Sequence, residues 1–182
     1  MTNEQTKEEK PWYVMRAYKN ERKAEERLSG EHGLEYFVPK QQVLRTYNGK
    51  KIRCLVPVIS SLIFVHATQQ EIIAFKKDLY NDLQFVVWKR EGEQPYLTVP
   101  AKQMKSFIEV CRQKEKVVTF YKPEEIQLDK GQKVRVHGGT FDNVEGYFVK
   151  VARRRSRQLV VIIPEVLAAS TEIDPDYLEI ID

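Results

Sequence analysis

The dipeptide Asn48-Gly49 constrains this chain most, because it sits between two β-rich arms, Leu34 to Tyr47 and Lys50 to Val65. Asn-Gly supplies the positive φ needed at both central positions of a two-residue hairpin turn whose twist matches that of its strands. The spacing predicts a long β-hairpin over 34–65. Pro39 and Pro57 belong at edges or kinks, since neither donates a ladder hydrogen bond.

The segments around this hairpin alternate in period. Trp12 to Tyr18 reads as a strand, with Trp12, Val14, Arg16 and Tyr18 facing one way and Tyr13, Met15 and Ala17 the other. Asn20 is an N-cap for a short amphipathic helix that carries Ala24 and Leu28 on one stripe and stops at Gly30 and Gly33. Residues 69–80 space Ile72, Ile73, Phe75 and Leu79 helically. Leu83 to Arg90 is a strand, and Met104, Phe107, Ile108 and Cys111 mark a last helix over 101–115. An antiparallel sheet covered by helices, an α/β sandwich, accounts for this order. It spans 11–116, after a polar segment 1–10 expected to be disordered. Residues 117–128 contain Pro123 and no clear period, and are expected to be a linker.

Residues 129–182 are different in kind. Their strands are short and alternating, punctuated by Gly131, Gly138, Gly139 and Gly146, with no helical segment of useful length. A small β-barrel fits that pattern. The last stretch alternates as closing strands would, with Ile173, Leu178 and Ile180 directed inward. The overall class is therefore α+β, a sandwich followed by a barrel.

Net charge is only +4, but it is unevenly distributed. Residues 165–182 hold six acids and no Lys or Arg, so the preceding residues carry +10. No apolar run is long enough to span a bilayer, and residues 1–10 lack the apolar region of a signal peptide, so a cytoplasmic location without membrane attachment is expected. Cys54 and Cys111 lack disulfide or metal spacing and are expected as free thiols. Three scattered histidines argue against a metal site. There is no Gly-rich phosphate loop, no His-centred triad and no carboxylate pair in an apolar frame, so neither an enzyme nor a cofactor is expected.

Two basic groups stand out. On the first helix Lys23 and Arg27 share a face without an obvious neutralising partner, Lys19 is nearby, and Arg22 is placed to pair with Glu26. This face either holds nucleic-acid phosphates or is a solvated helix face balanced by Glu21 and Glu25. The second group is Lys150, Arg153, Arg154, Arg155 and Arg157, five cations in eight residues. It attracts RNA, attracts an acidic protein, or keeps a turn soluble and an edge protected.

Gly131-Gln-Lys-Val-Arg-Val, Gly139-Thr-Phe141 and Gly146 before Tyr147 to Val151 together resemble a KOW motif, as found in the SH3-like barrels that end NusG-type transcription factors and in ribosomal proteins. The strand Trp12 to Tyr18, the basic helix, Tyr36-Phe-Val-Pro-Lys40, the Asn48-Gly49-Lys50 hairpin and Pro57-Val-Ile-Ser-Ser-Leu-Ile-Phe-Val65 resemble the NusG N-terminal domain. Leu97-Thr-Val-Pro100 and the Asn-Gly-Lys turn are similar to the specialised UpxY-type paralogs that accompany surface-polysaccharide operons. Two departures stand out. Ser60-Ser61-Leu62 replaces the usual Pro-Gly-Tyr or Pro-Asn-Tyr, and Ile73-Ala-Phe-Lys76 stands where some relatives carry a His-Thr-Thr-type motif.

The resemblance implies a monomeric, non-enzymatic elongation and antitermination factor. Its N-terminal domain would dock on the clamp helices of RNA polymerase through an apolar depression, for which Tyr13, Tyr18, Ile59 and Leu62 are the candidates. Filling the core is the alternative for each aromatic. Non-template DNA would be contacted by the first helix through Lys19, Arg22, Lys23 and Arg27. The barrel would bind Rho, a ribosomal protein or RNA through Lys150, Arg153, Arg154, Arg155 and Arg157, with Gly131, Gly139, Phe141 and Gly146 holding its KOW turns. The competing function is an RNA-binding KOW protein of the ribosome or of RNA metabolism.

Overall fold

A computed structural model describes residues 10–88 and 95–182. The segment expected to be disordered, apart from Lys10, lies outside the described residues. So do Lys89 and Arg90 of the strand expected over 83–90.

Within residues 1–101, strand β1 (Trp12–Arg16) is the centre of an antiparallel sheet. It pairs with β5 (Leu62–His66), which pairs in turn with β2 (Glu35–Phe37). Its other edge is shared by two short strands, β6 (Gln84–Phe85) and β7 (Thr98–Val99). The strand expected over 83–90 is thus reduced to two residues and an isolated bridge from Val87 to Tyr96. The long hairpin is also subdivided. Only β3 (Lys40–Tyr47) and β4 (Lys50–Pro57) form it, as a sheet of their own, while β2 and β5 belong to the main sheet. The Asn48-Gly49 turn has φ of 49° and 74°, as its sequence requires.

Helix α1 (Glu21–Leu28) starts where expected, the Asn20 side chain accepting from the Lys23 N–H at 2.9 Å. Such a cap is worth about 1 kcal/mol. Helix α2 (Gln69–Asp78) begins with a full capping box: Thr68 Oγ1 accepts from the Glu71 N–H, and Glu71 accepts from the Thr68 N–H. Lys10 pairs with the same carboxylate, and these bonds hold the Glu71 pKa down at about 2. The two helices bury Ala24, Leu28, Ile72 and Phe75 with Met15, Ala17, Ile63, Val65 and Ala67 of the sheet. Ile73, spaced as a core position, is instead 49% exposed.

Helix α3 (Ala101–Arg112) buries Met104, Phe107, Ile108 and Val110. By compactness the chain divides between Ala101 and Lys102, so nearly all of α3 counts with the C-terminal unit rather than with 11–116. There, Gln103 Nε2 donates to the Ile162 carbonyl at 2.7 Å, the Glu145 N–H donates to Ser106 Oγ, and Lys102 pairs with Glu145 at 2.8 Å. The segment expected to be a linker carries a strand, β8 (Thr119–Tyr121), at one end of the C-terminal sheet.

That sheet has six antiparallel strands, the others being β9 (Gln132–Val136), β10 (Glu145–Lys150), β11 (Arg157–Ile163), β12 (Leu167–Thr171) and β13 (Leu178–Ile180). The order is β13-β9-β10-β11-β12-β8. Among the described residues no pairing joins β13 to β8, so the sheet path is open where a closed barrel was expected. Val149, Val151, Val160 and Ala168 form part of its core with Ile126. Ile180, expected inward, is 64% exposed, because β13 is an end strand.

Candidate functional site

The four residues expected to form an apolar depression do not form one patch. Leu62, opposite Arg16 on β5, is 1% exposed and presents no surface to a partner. Tyr18 lies past the end of β1 and is 71% exposed. Tyr13 is five residues earlier, within β1, and only half-buried. Ile59 is half-buried in the turn before β5. That turn answers the Ser60-Ser61 departure. Ser61 adopts φ of 64° although it is not glycine, and the turn is held by the Ala17 N–H donating to the Ser61 carbonyl and by Arg16 donating to the Ser60 carbonyl, both at 2.9 Å.

Tyr13 instead belongs to a cluster that sequence reasoning missed. Its ring meets Phe85 edge-on, with centroids 5.5 Å apart, and Phe85 stacks on Tyr96 at 4.1 Å. Lys76 of α2 places its ammonium 5.3 Å from the Phe85 centroid, and burial lowers its pKa. Tyr96 and Val87, joined by their bridge, are each 37% exposed. The result is a shallow aromatic surface with one cation at its rim. Its sequence signal was weak, because Tyr13, Lys76, Phe85 and Tyr96 come from four separate segments.

The α1 face is simplified by the structure. Lys19 pairs with Asp82 at 2.8 Å, whose hydrogen bond and charge raise the lysine pKa. Arg22 pairs with Glu26 at 3.4 Å, as anticipated. Of the two acids expected to balance the face, Glu25 is engaged by Lys40 at 2.7 Å, and Glu21 turns one oxygen inward without a hydrogen-bond partner. Lys23 and Arg27 remain exposed and without an ion-pair partner among the described residues.

In the C-terminal cluster the reverse holds for most of the cations. Lys150 Nζ donates to the Arg155 carbonyl, Arg154 donates to Thr119 Oγ1, and Arg157 lies over the Phe148 ring at 5.9 Å. Only the Arg153 and Arg155 side chains are left without such a contact, and Arg153 occupies φ of 64° in the connection between β10 and β11. The turn residues are placed as structural elements. Gly139 has φ of 68°, Phe141 is 2% exposed beneath the Lys116 ammonium, and Gly131 lies tight against Val149. At Gly146 a Cβ would stand 2.6 Å from the Val160 carbonyl oxygen.

Among the described residues no group of three or more His, Cys, Asp or Glu side chains is arranged to hold a metal, and no helix is long and apolar enough to cross a membrane. Burial pushes the Cys111 thiol pKa up, away from nucleophilic reactivity. Partly exposed aromatic rings and unpaired surface cations suit the binding of a partner. Residues 10–108 match the family model described as NusG, transcription termination factor nusG. The match spans more than half of the chain, and the protein belongs to the NusG family of non-catalytic transcription factors, with a general role in elongation and antitermination. No curated protein matches the chain.

Proposed function

We propose that this protein is an operon-specific elongation and antitermination factor of the UpxY type. It docks on the clamp helices of RNA polymerase with the surface formed by Tyr13, Phe85 and Tyr96, the observation that carries this reading. Apolar rings left partly exposed and backed by a packed sheet suit a protein contact, since aromatic anchors supply large area at low entropic cost. Tyr18 and Ile59, outside that surface, make a separate second contact past the end of β1. A factor that bridges the polymerase cleft disfavours the paused state, and about 1.4 kcal/mol of such bias changes a rate tenfold.

Lys23 and Arg27 contact the exposed non-template DNA strand, a role supported by their lack of neutralising partners. Lys19 and Arg22, each paired within the chain, add less. The KOW-like C-terminal unit recruits a further partner, Rho, a ribosomal protein or RNA, with Arg153 and Arg155 as the cations available to it. The protein acts as a cytoplasmic monomer. The test is in vitro transcription on the leader of the neighbouring operon. Lys23→Glu with Arg27→Glu is expected to abolish leader-specific read-through while leaving the melting temperature unchanged. Unchanged read-through in the folded variant removes the DNA role.

A further inference from the structure

The β3–β4 hairpin holds the densest set of free cations in the described structure. Residues 40–57 contain Lys40, Arg45, Lys50, Lys51 and Arg53 and no acid. Lys40 is held by Glu25, whereas the other four are exposed and have no acidic partner among the described residues. Nothing in the main sheet pairs with this ribbon, and Leu44, Tyr47 and Leu55 are 67%, 69% and 63% exposed along it.

The register decides what kind of partner it fits. Cross-strand partners share a face. The pairs Arg45↔Ile52 and Tyr47↔Lys50 place two cations on one face, and Thr46↔Lys51 and Leu44↔Arg53 place two on the other. A ribbon that docked on a protein would gather its apolar residues on one face. Here each face mixes cations with exposed apolar side chains, which suits a partner that presents negative charge to both sides at once. A duplex groove does so, because its two walls are phosphate backbones. Strands about 4.8 Å apart, with their side chains, fit a major groove about 12 Å wide.

We propose that the β3–β4 hairpin binds double-stranded DNA, lying in a groove with Arg45 and Lys50 directed to the phosphates of one wall and Lys51 and Arg53 to those of the other. The contact requires no polymerase, so it stands apart from the docking surface at Tyr13, Phe85 and Tyr96. Tyr47 and the solvent-open Asn48-Gly49 tip lead into the groove, and the phosphate contacts give affinity without sequence preference.

Full-length protein titrated into a fluorescent duplex of about 20 base pairs, and into the matching single strand, over a salt series tests this directly. The expected result is preferential duplex binding. Arg45→Gln/Lys50→Gln/Lys51→Gln/Arg53→Gln, which alters only exposed side chains, should weaken it at least about tenfold and reduce the slope of log affinity against log salt by about 3 to 4. Lys50→Gln/Lys51→Gln alone, at the tip, should reduce the slope by about 2, which keeps the test decisive if the fourfold variant melts early. Duplex binding and slope equal to wild type in a folded variant overturn the proposal. So does a wild-type preference for the single strand that the substitutions remove. Loss of polymerase co-elution with duplex binding unchanged makes the hairpin a protein-docking ribbon and likewise overturns it.

Discussion

The β3–β4 and β10–β11 hairpins are both strongly basic, yet they use their charge and their glycines in opposite ways. The first stands as a separate two-stranded sheet with no acid in it, and four of its cations face solvent. The second is central to a six-stranded sheet, buries Gln158, Leu159 and Val160, and ties three of its five cations, two to a carbonyl and a ring of its own and one to the Thr119 hydroxyl of β8. Charge density in a sequence is therefore a poor guide to charge available for a partner. What decides is whether neighbouring strands supply acceptors, and an isolated ribbon has no such neighbours.

The glycines sharpen this contrast most. Gly146→Ala would drive a Cβ to 2.6 Å from the Val160 carbonyl oxygen and 3.2 Å from Leu159 and Val161 side chains. It is expected to destabilise the C-terminal unit by about 3 kcal/mol, in the range of core overpacking. At Gly49 a Cβ meets nothing within 4 Å, so Gly49→Ala costs only the strain of φ 74°, roughly 1 kcal/mol, confined to the hairpin. Denaturant unfolding of both variants, with hydrogen exchange to locate the loss, checks the ordering; equal costs would break the comparison.

Acid should separate the two regions by a smaller margin. The Lys102 and Arg135 side chains hold the Glu145 pKa below the usual carboxylate range, and His137 does the same for Glu179. Depressed carboxylate values contribute stability that is full above the unfolded-state pKa and is lost as pH falls through the folded-state value. Below the ordinary carboxylate range, amide exchange is expected to accelerate around β9, β10 and β13. The β3–β4 hairpin, with no carboxylate of its own, should show no comparable titration. Matching acid profiles in the two hairpins would contradict this assignment.

Much of the local architecture was legible in the sequence. Asn20, Asn48-Gly49 and Gly146 each act within a few residues or through a backbone need that only certain side chains meet, so their roles could be read directly. The Lys19 to Asp82 pair, the Glu25 to Lys40 pair and the engagement of Arg154 by Thr119 link distant segments, and charge counting could not anticipate them. The same limit hid the aromatic surface. Tyr13 was singled out, but Phe85 and Tyr96 become its neighbours only when β6 and the residues before β7 are brought to the edge of β1. Leu62 failed as a contact residue because β5 lies between β1 and β2 and is buried along nearly its whole length.

The most direct measurement is the affinity of purified RNA polymerase for the full-length protein and for Phe85→Ala and Tyr96→Ala, each compared with its melting temperature. If the ring stack is the docking surface, Tyr96→Ala, which removes an already half-exposed ring, should retain its melting temperature and bind at least about tenfold more weakly, a loss of about 1.4 kcal/mol. Phe85→Ala should lose both binding and some stability. A folded Tyr96→Ala variant that binds polymerase as tightly as the wild type would contradict the account.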